Sequence, residues 1–212
     1  MKWRLIAASA LMLAACSQTH TPRNTGVYLL IDTSGTYNQE VRKAEQIILF
    51  VLGRMGPSDS FAVARIDTAS FTERNIIAKA TFDDRPSTAN KQKRSFAGEL
   101  QHFVDQSYPA PYTDITGGVL QAIEFLNEKQ PGRKEILIFS DMKEDLAHGY
   151  VRNLPLDLRG FDVVALNVTK LRTDNVDPRE YLTRLEAWRS RVEKGGGHWR
   201  VINDLEHLDA VL

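Results

Sequence analysis

The chain of 212 residues repeatedly passes from a short apolar run to an amphipathic stretch, and two of the runs end in an acid. Residues 26–31 read GVYLLI and stop at Asp32; residues 135–139 read EILIF and stop at Ser140-Asp141. Runs this short and continuously apolar suit strands covered on both faces, as in a parallel sheet. Between them, Val41, Ala44, Ile47, Ile48, Val51, Leu52 and Met55 recur at three- and four-residue spacing and predict a helix, which Gly56-Pro57 stops.

Further strands are expected over 61–66, 75–82, 161–168 and 198–202, with 75–82 the weakest and suited to a sheet edge. Residues 83–93 are polar, carry Pro86 and read as a loop before a helix bearing Phe96, Leu100 and Phe103. Helices are also expected around Val119, Leu120, Ile123 and Leu126, around Tyr181, Leu182, Leu185, Trp188 and Val192, and over 204–212. The three glycines 195–197 read as a turn. Together these predict an α/β, three-layer, doubly wound fold: a mostly parallel sheet with one antiparallel edge strand.

Lys+Arg and Asp+Glu both number 27, so no basic excess points to nucleic acid or to a charge-driven membrane contact. The single cysteine, Cys16, excludes an internal disulfide framework. It follows a basic start (Lys2, Arg4) and an apolar run over 5–15 that is too short for a spanning helix of roughly 20 residues. The end of this run, Leu13-Ala14-Ala15-Cys16, resembles the lipobox of bacterial lipoproteins. That resemblance implies a cleaved signal peptide over 1–15, a lipidated Cys16, a tether over 16–25 and a domain over 26–212. It also implies a lipid-anchored place in the bacterial cell envelope. Ser17, where an aspartate would favour inner-membrane retention, leans towards the periplasmic side of the outer membrane in a diderm cell.

Ligands of doubly wound sheets bind at the carboxyl ends of the strands, where strand order reverses. Three polar stretches fall at such connections: Asp32-Thr33-Ser34-Gly35-Thr36, Thr113-Asp114-Ile115-Thr116-Gly117-Gly118, expected just ahead of a helix, and Ser140-Asp141. Asp32, Ser34, Thr36, Thr113 and Asp141 are hard oxygen donors suited to Mg²⁺, Mn²⁺ or Ca²⁺. Two carboxylates held close together also call for a cation. Lys143-Glu144-Asp145 reads as a solvated loop beside them; residues 108–112 and Met142 read as a binding rim.

This pattern resembles the metal ion-dependent adhesion site of von Willebrand factor A domains, whose D-x-S-x-S motif is matched by Asp32, Ser34 and Thr36, with threonine in the last position. Thr113 matches the family's loop threonine and Asp141 its strand-end aspartate. The resemblance spans 26–212. It implies hydroxyls that ligate the metal directly, aspartates acting largely through water, and an acidic residue of a partner protein completing the site, without catalysis. The enzymatic alternative is a haloacid dehalogenase-like phosphohydrolase, with Asp32 as nucleophile and Asp141 and Asp145 on Mg²⁺. There, Ser34 stands where that family carries its second aspartate, the general acid.

Overall fold

The computed structural model describes residues 22–35, 37, 40–106 and 109–204. Cys16, Thr36, Tyr108 and the helix expected over 204–212 (Asp204 apart) lie outside the described residues. A six-stranded sheet forms the middle layer, in the order β3-β2-β1-β4-β5-β6. The strands are β1 (Thr25–Asp32), β2 (Ser60–Ile66), β3 (Ile76–Thr81), β4 (Arg133–Phe139), β5 (Phe161–Leu166) and β6 (His198–Ile202). All neighbours are parallel except β2 and β3, so the weak strand is the antiparallel edge, as its sequence suggests.

Residues of β1 alternate between two cores. Val27, Leu29 and Ile31 face one side, under α1 (Val41–Arg54) and α2 (Pro86–Gln106). Tyr28 and Leu30 face the other, under α3 (Ile115–Lys129) and α4 (Pro178–Lys194). Helix α1 turns Ala44, Ile47, Ile48, Val51 and Leu52 inward. Fully burying each of the larger of these side chains is worth roughly 2 kcal/mol.

Two boundaries differ from the sequence reading. Helix α2 begins at Pro86, inside the segment expected to be a loop. Proline suits a first helical turn, where its missing N–H has no partner to lose. The polar residues that hide the helical period here fasten the helix instead: Gln92 accepts from Asp83 N and donates to Thr81 O, and Lys93 donates to Met55 O. Helix α3 begins at Ile115, so Gly117 and Gly118 lie in its first turn and not ahead of it. A side chain at Gly118 would bring its Cβ within 2.8 Å of Leu30 Cδ2, so glycine there lets α3 lie close against β1.

Strand order reverses between β1 and β4. Their register pairs Ile31 with Phe139. The next residues, Asp32 and Ser140, are thereby set side by side at the switch point.

Candidate metal centre

Asp32 ends β1 and is fully buried. Its Oδ1 accepts from Ser34 N at 2.8 Å, a turn that reverses the chain, and the Ser34 side chain also bonds to this carboxylate. Its Oδ2 accepts from Ser140 Oγ at 2.6 Å. Burial pushes the Asp32 carboxyl up, opposed by these hydrogen bonds. Asp32 therefore sits beneath the surface, while Ser34, half-buried, reaches it.

The loop after α2 is tied to this turn. Ala110 N donates to Thr33 O at 2.7 Å, forming a parallel bridge beside Ser34. Thr113 is buried and pairs through its main chain with Asp145 in both directions, at 2.7 and 3.0 Å. Asp141, two residues past β4, is also buried, and its Oδ1 accepts from Lys143 N at 2.8 Å. Burial pushes its carboxyl up, and the nearby Asp32 charge pushes the same way.

Ser34, Thr113 and Asp141 line one cleft of about 690 Å³, with Gly35, Ala110, Pro111, Asp145 and the segment 169–173 as further walls. The structure thus brings three of the five selected residues to one opening, with Asp32 below it. Thr36 cannot be placed, since it lies outside the described residues. Among the described residues no His or Cys lines this cleft, and no group of three or more His, Cys, Asp or Glu is placed to hold a metal ion by itself. The donor set is oxygen alone, hydroxyl and carboxylate, which fits a hard divalent cation and not a thiolate- or imidazole-seeking one. Two buried acids, one raising the other, are the electrostatic setting that such an ion relieves.

Other expectations about the surroundings change. Lys143 and Asp145 are exposed in a loop as expected, but Glu144 between them turns inward: its Oε1 accepts from Thr116 N at 2.7 Å, in the first turn of α3. Met142 is buried and forms no rim; its carbonyl accepts from Trp188 Nε1 at 3.0 Å, and its backbone holds a left-handed φ of 64°. Strain of this kind persists where surrounding contacts over-determine the backbone. Ala110 and Pro111 do line the cleft, whereas Tyr112 is partly exposed and is not among its walls.

Sequence reasoning missed the residues that hold the candidate site in place. Arg184 Nε donates to Asp141 O at 2.9 Å while its guanidinium clasps buried Asp174. Tyr37 OH donates to Asn167 O at 2.6 Å, locking the turn after β1 to the end of β5. Asp114 caps α3 at Gly117 N and binds Arg152 and Ser70 N. None lies on an apolar period, and apart from the local cap of Asp114 on Gly117 N their partners are 10 to 130 residues away.

No family model matches the chain. A segment of 120 residues is 30% identical to the inter-alpha-trypsin inhibitor heavy chain H1 of Homo sapiens, and one of 117 residues is 28% identical to that of Mesocricetus auratus. The human match takes in 56% of this chain and only 12% of the length of that relative. Among solved structures, a von Willebrand factor type A protein from Catenulispora acidiphila matches with a TM-score of 0.54 and 12% identity, over 90% of this chain and 41% of that one. The pilus adhesin SpaC from Lactobacillus rhamnosus GG matches with a TM-score of 0.58 and 10% identity, over 89% of this chain and 29% of that one. BatB, a conserved hypothetical protein from Bacteroides thetaiotaomicron, matches with a TM-score of 0.51 and 12% identity, over 89% of this chain and 95% of that one. With its strand order, its antiparallel edge and these likenesses, the chain carries the von Willebrand factor type A fold.

Proposed function

We propose that this domain binds a divalent cation, Mg²⁺ or Mn²⁺ before Ca²⁺, through Asp32, Ser34, Thr36, Thr113 and Asp141, and uses it to engage an acidic residue of a partner protein. The observation that carries this reading is the opening of Ser34, Thr113 and Asp141 onto one cleft, from three separate connections, above the buried Asp32. The ion would supply a Lewis-acidic point for an incoming carboxylate. The chain's own part is to hold the oxygens: Ser140 and the Ser34 amide fix Asp32, and the Lys143 amide fixes Asp141. A pilus adhesin among the fold neighbours agrees with a binding role. The phosphohydrolase reading fits less well, because Ser34 stands where that chemistry needs a second aspartate as general acid.

Isothermal titration of the full chain with MnCl₂ and MgCl₂ tests the site. Saturable one-site uptake, lost in a Ser34→Ala, Asp141→Ala double variant, is expected. No uptake, or uptake unchanged in that variant, overturns it.

The lipobox-like Leu13-Ala14-Ala15-Cys16 supports a second part of the proposal: cleavage before Cys16, acylation there, and anchorage in the cell envelope, on the outer membrane of a diderm cell. No helix among the described residues is long and apolar enough to cross a membrane. Mass spectrometry of the N-terminal peptide checks the acyl groups, and Cys16→Ser is expected to move the protein from the membrane to the soluble fraction.

A further inference from the structure

The walls of the cleft carry three cations, Lys143, Lys170 and Arg172, all exposed and drawn from two loops. None forms an ion pair among the described residues, although Lys170 lies 6.0 Å from the Tyr181 ring. Several arginines elsewhere are paired, although Arg42, Arg74 and Arg94 form no ion pair among the described residues either. Arg85, Arg159 and Arg179 each close onto an aspartate two positions earlier, and Arg152 and Arg184 are bound to buried aspartates. Lys143 also acts on the Asp141 and Asp174 carboxylates, which leaves Lys170 and Arg172 as the wall cations without a carboxylate partner among the described residues.

The charges at the opening also balance in a telling way. Lys143, Lys170 and Arg172 share the cleft walls with Asp141 and Asp145, and Asp32 is buried beneath them, so three cations stand against three carboxylates and the metal-free opening is close to neutral. A divalent ion leaves it with two positive charges in excess. One partner carboxylate on the ion neutralises only part of that excess. At about 690 Å³ the cleft is also far larger than one carboxylate, with room for a stretch of extended peptide.

We infer that the partner segment is polyacidic: one carboxylate goes to the metal and further carboxylates go to Lys170 and Arg172. This rests on the metal reading above and names the partner chemistry of the same site. Clustered cations select an acidic partner and speed its encounter more than they add contact energy. They should also make binding strongly salt-dependent.

The test uses the full chain with saturating MnCl₂ and two six-residue peptides, Ac-Ser-Asp-Asp-Asp-Asp-Ser-NH₂ and Ac-Ser-Ser-Asp-Ser-Ser-Ser-NH₂, compared by calorimetry at low and physiological salt. The polyacidic peptide is expected to bind at least tenfold more tightly at low salt. That advantage should shrink at least threefold in a Lys170→Gln, Arg172→Gln variant that still takes up Mn²⁺ within threefold of the parent. Equal affinity for the two peptides with Mn²⁺ uptake intact overturns the partner assignment and leaves the metal site standing; failure of Mn²⁺ uptake overturns both. A heparin hexasaccharide that binds more tightly than the polyacidic peptide, and loses its binding in the same variant, also overturns the assignment in favour of a sulfated glycan.

Discussion

Ser140 Oγ donates to Asp32 Oδ2 across the gap between β4 and β1, at 2.6 Å, and itself accepts from Met142 N at 2.9 Å. One hydroxyl thus orients a candidate water-mediated ligand and shapes the turn that presents another, Asp141. Ser140→Ala removes a hydrogen bond to a buried carboxylate and strands an amide. The expected cost is about 2 kcal/mol in urea unfolding with chelator present. Residues that orient ligands typically matter by about 10- to 100-fold in metal affinity, so calorimetric Mn²⁺ affinity should fall at least tenfold. Parent-like uptake by Ser140→Ala would remove this residue from the site.

The raised carboxyls give a pH dependence of defined sign. Burial pushes both Asp32 and Asp141 above the ordinary carboxylate range. In the metal-free domain the folded state therefore holds protons that the unfolded chain has released. Over the interval from the ordinary value of 3.8 upward to the raised one, each acid makes stability fall as pH rises. Asp32→Asn removes one such acid. Its stability relative to the parent, measured in EDTA, should improve from pH 4 to pH 7. With Mn²⁺ added the order reverses, because the parent gains binding energy and the variant gains less. A parent–variant difference that is flat with pH in EDTA contradicts the electrostatic account.

The strands, the layered fold and the oxygen donors were legible because each writes a local signal: continuous apolar runs, a three-to-four period, and short polar motifs at strand ends. The start of α2 was not, because Gln92 and Lys93 fasten that helix through side-chain contacts to residues distant in sequence and bury little. The first turn of α3 was misread because two adjacent glycines suggest a loop, while in the structure Asp114 caps that turn and Leu30 requires Gly118 to be small. The supporting shell of Arg184, Asp174, Tyr37 and Asn167 was invisible for a similar reason. A buried arginine and an exposed one look alike in a polar stretch, and only the fold brings Arg184 to Asp141.

Gly117 offers a case where helix propensity and the structure disagree in sign. Replacing a helical glycine by alanine normally stabilises by up to about 1 kcal/mol. Here the new Cβ would stand 2.3 Å from Asp114 Oδ2. That carboxylate accepts from Gly117 N, Ser70 N and Arg152, so it has no free direction in which to retreat. Displacing it loses the cap, about 1 kcal/mol, and loosens a buried ion pair whose rupture costs about 3 kcal/mol or more. Gly117→Ala is therefore expected to destabilise by about 2 kcal/mol in urea unfolding. A stabilised variant would show that Asp114 is less constrained than its contacts imply.

Arg184 separates folding from ligand positioning. Its guanidinium holds Asp174, whose side chain is fully shielded, at 3.1 and 2.8 Å, and its Nε holds the Asp141 carbonyl at 2.9 Å. Arg184→Met leaves Asp174 with the Leu171 amide and the more distant Lys143 charge alone, at an expected cost of about 2 kcal/mol. Adding Asp174→Asn removes that stranded charge and keeps an oxygen to accept from Leu171 N, as Asp174 Oδ2 does in the parent at 2.8 Å. The double variant should thus recover most of the lost stability. Nothing in it replaces the bond to the Asp141 carbonyl, so Mn²⁺ affinity should stay reduced, by about tenfold on the scale of other ligand-orienting contacts. Unfolding and Mn²⁺ titrations on the single and double variants check both halves. Recovery of metal affinity together with stability would make Arg184 a purely structural residue, with no hold on the geometry of Asp141.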